Sequence, residues 1–281
     1  DTIDIRIAGA DDFQFTANSF NVLSGSTLTV DSGATITNSG TANNFGVALA
    51  NDGDNRVVTG TGSGGLNGEA NLTFDGNALV VKGTSPSITV GDAGAEDTKI
   101  VFDGNAQDYY MGLDDTDDDL KIGLGSAVGT TAHMVFDETG AITKPLQPAF
   151  LVMAPNQNNV PINSDQAVTF DSEVFDANSD FASSTFTAPV TGKYCFNVSL
   201  YLGQMDATSE YYSLGLVTSN KTYDVAFSHW GLANDPYQSI NLSVLADMDA
   251  SDTASVTIYQ GGGADQTDIK NNSWFSGFLA T

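Results

Sequence analysis

The chain has 281 residues, with 35 acidic and 9 basic side chains, a formal net charge of −26 and a single cysteine. So negative a surface repels phosphate backbones and argues against nucleic acid as a partner. One cysteine allows neither an intramolecular disulfide nor a thiolate metal cluster, and no stretch approaches the roughly 18 apolar residues that cross a membrane as a helix.

Asp, Asn, Gly, Ser and Thr are abundant, and no segment of about twelve residues joins helical periodicity to good helix formers. The chain is therefore predicted to be all-β. Residues 1–60 alternate in short pieces (IDIRIAG, FQFTANSF, STLTVDSG, ATITNSG and VALANDG), each ended by a Gly- or Asn-rich turn. Pieces this short barely enclose a core within one chain. They predict a shaft segment stabilised by stacking, either on successive coils or against neighbouring chains.

The glycine-rich stretch Gly60–Ala70 (GTGSGGLNGEA) reads as a flexible seam opening a second region, residues 61–147. A loose repeat follows, with an apolar-x-Phe-Asp core around Phe74, Phe102 and Phe136, and predicts related hairpins. DDTDDD, Asp114 to Asp119, stands between YYMGL and LKIGL and is expected to be the turn of one such hairpin. Its carboxylates, Asp114, Asp117 and Asp119, are also hard oxygen ligands of the kind that hold Ca²⁺, although EF-hand spacing is missing.

Lys144–Pro155 (KPLQPAFLVMAP) carries three prolines, which are expected to interrupt strand ladders and to mark the boundary of a last region, residues 148–281. There the strands lengthen: YCFNVSLYL, YYSLGLV, INLSVLA, SVTIYQ and SWFSGFLA. Tyr194, Phe196, Val198, Leu200 and Leu202 fall on one face, as a sandwich core requires, and Cys195, Asn197, Ser199 and Tyr201 fall on the other. In SWFSGFLA both faces are apolar, so both are expected to be covered.

Three elements of this last region occur in a specific order. Phe170, Asp176 and Phe181 form F-x5-D-x4-F; Phe186, Gly192, Tyr194 and Phe196 form F-x5-G-x-Y-x-F; and Trp274, Phe275, Gly277 and Phe278 lie in the closing SWFSGFLA. Together they resemble the C1q-like family, whose jelly-roll fold is shared with tumour necrosis factor. Val198 departs from the family pattern, which carries an aromatic there. The resemblance implies a ten-stranded-type jelly-roll head and an intertwined homotrimer, with higher fibre assembly open to it. Gly192 is read as permitting a sharp turn before its strand. Some family members bind Ca²⁺ near the trimer apex, which makes Asp247, Asp249 and Asp252 in LADMDASD a second candidate ligand set. DTIDIRIAGADDFQFTANSF and DYYMGLDDTDDDLKIGLGS resemble repeats in the fibrous proteins of marine bacteriophages.

No catalytic constellation stands out. His133 and His229 are the only histidines, and no nucleophile-elbow sequence accompanies either. Trp230, Asn234, Asp235 and Tyr237 form an aromatic- and amide-rich stretch suited to stacking on a sugar. The expected function is thus non-enzymatic: a trimeric virion or tail fibre whose head binds a host-surface glycan or protein. Two alternatives stay open: a bacterial surface filament subunit polymerising through its N-terminal strand, and a polysaccharide depolymerase.

Overall fold

The computed structural model describes residues 3–7, 10–29, 49–50, 53–62, 66–228 and 235–281. Every regular element among them is a strand. Two units separate, Asp1–Thr89 and Val90–Thr281.

In the first unit, β1 (Ile3–Ile7), β2 (Ala10–Thr16) and β3 (Ser19–Val22) form an antiparallel sheet in that order. Thr16 pairs with Ser19 across a tight turn in which Asn18 takes a left-handed φ of 65°. Ser26–Thr29 of the predicted third piece carry no strand, and ATITNSG lies outside the described residues. A second sheet joins β4 (Leu49–Ala50), β5 (Arg56–Gly60), β6 (Leu66–Phe74) and β7 (Leu79–Val81), with β6 pairing all three others. Gly60 and Leu66–Ala70 of the expected seam therefore lie in the β5–β6 pair. Main-chain pairing does not need the side chains that glycine lacks, and Val58 opposes Gly68 directly. Gly68 is the one buried residue among those of this unit whose burial is described, so no apolar core forms among them.

The second unit begins with a five-stranded antiparallel sheet of β8 (Thr98–Phe102), β9 (Tyr109–Asp114), β10 (Asp119–Leu124), β11 (Ala132–Phe136) and β12 (Ile142–Thr143), in the order β12-β11-β10-β9-β8. The acidic run is the β9–β10 turn, as its flanks predict. The repeat also has a local cause. At Asp75 and Asp137 the carboxylate accepts the amide two residues on, from Asn77 at 2.9 Å and Thr139 at 2.8 Å. Each Asp thereby turns the chain after the Phe.

The sandwich follows from Ala149 onward. One sheet runs β15 (Ser172–Asp176), β13 (Ala149–Met153), β24 (Trp274–Leu279), β18 (Gly192–Met205), β21 (Asp235–Met248), with β23 (Asp268–Ile269) also on β18. The other runs β16 (Phe181–Ala182), β17 (Thr185–Thr187), β22 (Thr253–Gly261), β19 (Tyr211–Thr218), β20 (Thr222–Phe227), with β14 (Gln166–Ala167) on β22. The two face each other as a jelly-roll sandwich. Tyr194, Phe196, Val198, Leu200 and Leu202 point inward and are fully buried, as the alternation predicts.

The proline-rich boundary is where the structure departs from expectation. Pro145, Pro148 and Pro155 bracket β13 rather than interrupt it, and β13 lies between β15 and β24 inside the sheet. Pro148 lacks an N–H but keeps its carbonyl, which accepts the Leu279 amide at 3.0 Å.

Candidate binding and assembly surfaces

The sequence motifs converge on one aromatic cluster. Phe150 lies at its centre, with ring centroids 4.9 Å from Phe275, 5.0 Å from Phe186 and 5.1 Å from Phe181. Phe170 joins through Phe275 at 5.8 Å, and Tyr194 through Phe186 at 5.3 Å. The polar motif residues fix the chain around this cluster. Asp176 accepts the amides of Asp180 (3.1 Å) and Phe181 (2.8 Å), closing the loop that delivers Phe181. The Tyr194 hydroxyl donates to the Val190 carbonyl at 2.8 Å and closes the Pro189–Gly192 bend.

Both motif glycines are there for space. A Cβ on Gly277 would stand 2.6 Å from the Phe196 ring and 2.7 Å from the Phe150 ring. A Cβ on Gly192 would meet the Leu279 side chain at 2.6 Å and the Thr281 carbonyl at 2.7 Å. Gly192 does not occupy the left-handed region, so the sharp-turn reading gives way to close approach of the chain's last residues.

The other face of this sheet is open. Phe275 and Gly277 are buried, whereas Phe278 is 47% exposed and Trp274 half-buried, so only one face of SWFSGFLA is covered within the chain. Phe175 (50% exposed) and Leu245 (59%) share that open face, and Tyr237 stacks there on Tyr201 at 5.3 Å. Leu151, Met153, Phe175, Trp274 and Ser276 line a hollow of about 400 Å³ in it. Tyr237, expected in a sugar-binding loop, belongs to β21 and this open face. Asp235 starts β21, paired with Met205; Trp230 and Asn234 lie outside the described residues.

The β8–β12 sheet shows the same exposure in stronger form. Ile100, Phe102, Tyr109, Met111, Leu113 and Leu120 are exposed on one face. The covered face instead holds Tyr110, Asp114, Asp119 and Lys121. Residues 125–131 fold over it, with the Gly129 amide donating to the Tyr110 hydroxyl at 3.1 Å. Lys121 donates to Asp114 at 2.8 Å and to Asp117 at 2.6 Å. Burial works against its charge, but those two bonds hold its pKa well above the ordinary lysine value. Lys121 and the Thr116 amide in turn hold Asp114 low. Asp114 and Asp117 are thus both bound by one lysine within their own hairpin. Asp119 is not, and Asp119, Asp137 and Glu138 are the only described trio whose ligand atoms come within 4.8 Å of one another.

The second predicted acidic set is tied up locally. Asp247 pairs with Lys193, and Asp252 accepts from Asn220 (2.7 Å) and from the Asp249 amide (2.8 Å). Gly192 pairs with Met248, so this loop lies at the end where the chain enters the sandwich, opposite the Met205–Asp235 end.

A feature that sequence reading missed lies on the outside of the second sheet. Asp165, Tyr211, Ser213, Asp224, Thr257 and Tyr259 line a groove of about 520 Å³. Gly215 lets two of them approach, since a Cβ there would meet Thr257 Oγ1 at 2.6 Å and Asp224 Oδ1 at 2.9 Å. The rings of Tyr211 and Tyr259 stack at 5.5 Å along one wall. Gly261 makes room for the Tyr211 ring, which a Cβ would touch at 2.7 Å. The two tyrosines are distant in sequence and meet only through the β19–β22 register.

Residues 149–280 match the family model described as the C1q domain. This segment is a C1q domain. Among solved structures, the globular domain of zebrafish complement 1qA protein is similar at 20% identity, covering 48% of this chain and 98% of that one, with a TM-score of 0.38. Eiger TNF from S. frugiperda is similar at 15% identity, covering 48% and 94%, with a TM-score of 0.37. Murine APRIL is similar at 12% identity, covering 47% and 98%, with a TM-score of 0.35. A comparison with curated proteins gives no match.

The far end of the C1q domain is closed by a buried polar layer. Asp206 accepts from the amides of Thr208 and Asp265, each at 2.8 Å, and from the Thr208 hydroxyl at 2.7 Å. Asp268 accepts from Asn159, Gln204 and Lys270. Gln260 donates to the Asp265 carbonyl at 2.7 Å and accepts the Thr267 amide at 3.0 Å. These bonds hold the loops at residues 206–210 and 262–267 rigid beside the groove. The Ser228 hydroxyl donates to the Glu210 carbonyl at 2.9 Å.

Proposed function

We propose that this chain is a non-enzymatic, homotrimeric fibre protein: a β-rich shaft ending in a C1q head that binds a host-surface glycan or protein. The observation that carries this reading is the pair of open apolar sheet faces, on the head and on the β8–β12 sheet. Faces of this kind are characteristic of interaction surfaces. The first unit, which lacks a core among its described side chains, is consistent with stabilisation by neighbouring copies. Light scattering of the full chain at micromolar concentration is expected to give about 88 kDa, three times the 29.3 kDa chain mass. Trp274→Asp, placing a charge on the open head face, is expected to shift that mass toward the monomer. A monomeric wild-type chain would sink the reading.

The Tyr211–Tyr259 groove is the best-equipped glycan surface among the described residues. Its two rings offer an apolar platform, and Asp165, Asp224 and Thr257 surround it with acceptors and a hydroxyl. Tyr259→Ala is expected to reduce binding to a glycan panel at least tenfold without changing the oligomer mass. Undiminished binding would move the receptor site elsewhere on the head.

Likeness of the N-terminal repeats to phage fibres favours a virion or tail fibre at the outer surface of a particle. An extracellular filament subunit is the second reading. It would lend its N-terminal strand to a neighbour, whereas β1 is paired with β2 of its own chain. Electron micrographs of the native particle, showing this protein on virions or in cell-attached polymers, distinguish the two.

A further inference from the structure

Asp119 is out of place by ordinary rules. It is 8% exposed, and its Oδ1 has no hydrogen-bond partner. The ladder sets Asp119 opposite Asp114, and the pairing of Leu120 with Phe136 brings the Asp137–Glu138 turn near it, with a ligand atom of each within 4.8 Å. Like charges directly across a ladder repel, and a buried carboxylate without a donor is expensive. The nearest lysine along its strand, Lys121, is already held by Asp114 and Asp117.

We infer that Asp119, Asp137 and Glu138 form a binding site for a divalent cation of the Ca²⁺ class. One ligand atom from each residue lies within 4.8 Å of the other two. Calcium–oxygen distances of about 2.3–2.6 Å place two ligands of one ion up to about 5 Å apart, so a single ion spans the trio. All three donors are hard carboxylate oxygens, and none is a nitrogen or sulfur that would favour zinc. The β11–β12 turn that presents Asp137 and Glu138 is already shaped, because Asp137 Oδ1 accepts the Thr139 amide and hydroxyl. Glu138 is exposed, which leaves the site open to solvent for entry and for water ligands. An ion there ties the start of β10 to the turn after β11, and the orphaned Asp119 oxygen acquires its partner.

The test uses the full chain, freed of metal by a chelator and titrated with calcium chloride alone. Calorimetry is expected to show one site per chain above the diffuse binding of an acidic surface. Hydrogen exchange should slow in peptides covering residues 115–124 and 132–141. Glu138→Gln and Asp137→Asn are each expected to weaken this site at least tenfold and to abolish the exchange response. Asn at 137 still accepts from Thr139, so the turn survives. Asp249→Asn, in the loop tied by Asp252 and Asn220, should change neither readout. Absence of the site in the wild-type chain, or its persistence in both hairpin variants, overturns the proposal.

Discussion

Phe150→Ala is expected to be the most damaging single truncation in the head, destabilising it by about 3–5 kcal/mol. The ring is 1% exposed and touches Phe181, Phe186, Phe196 and Phe275, which come from four different strands. Removing it leaves a cavity bounded by both sheets, and Gly277, which lies against the ring, has no side chain to fill it. For a head of this size the loss corresponds to a fall in Tm of roughly 10–20 °C. Scanning calorimetry checks it. A shift below about 3 °C would mean that the cluster does not hold the two sheets together.

Asp206→Asn is expected to remove a pH-dependent part of the head's stability. Burial pushes the Asp206 pKa upward, but hydrogen bonds from Asp265, Thr208 and Ala264 outweigh it and hold the pKa at about 2. The unfolded value is near 3.8, so the folded value is depressed. The stabilisation is therefore complete above the unfolded pKa and is lost as pH falls through the folded one. The difference amounts to roughly 2.5 kcal/mol at neutral pH, of which about two thirds is gone by pH 2.5. The gap between the urea midpoints of wild type and variant should be full at pH 6 and fall to about a third of that at pH 2.5. A gap that does not change between the two pH values would show that the carboxylate's charge is immaterial.

What could be read from the sequence followed the reach of its signals. Strand alternation is local, so Tyr194 to Leu202 and the β9–β10 hairpin were legible directly, and the spaced aromatics pointed to the C1q fold. Phe150 was hidden because its segment lies between Pro148 and Pro155. The prolines flank the strand, and only the pairing of β13 with β24 shows that they leave its ladder intact. Gly192 was legible as necessary, but its reason lies in Leu279 and Thr281, far away in the chain. The candidate sites were harder still. Asp119 was grouped with its sequence neighbours Asp114 and Asp117, yet those two are held by Lys121, while Asp119 also comes close to Asp137 and Glu138 through strand pairing that composition does not reveal. The Tyr211–Tyr259 wall depends on the same kind of cross-strand register.

The placement of β24 bears on how the head comes into being. The strand that begins the sandwich, β13, has β15 on one side and the closing strand β24 on the other. A nascent chain leaving the ribosome therefore holds an unfilled slot between β13 and β18 until Trp274–Leu279 emerges. Non-local pairing of this kind is slow and leaves strand edges exposed while it waits. The head should fold only after Trp274–Leu279 has been synthesised, and the face carrying Trp274 and Phe278 forms only at that last step.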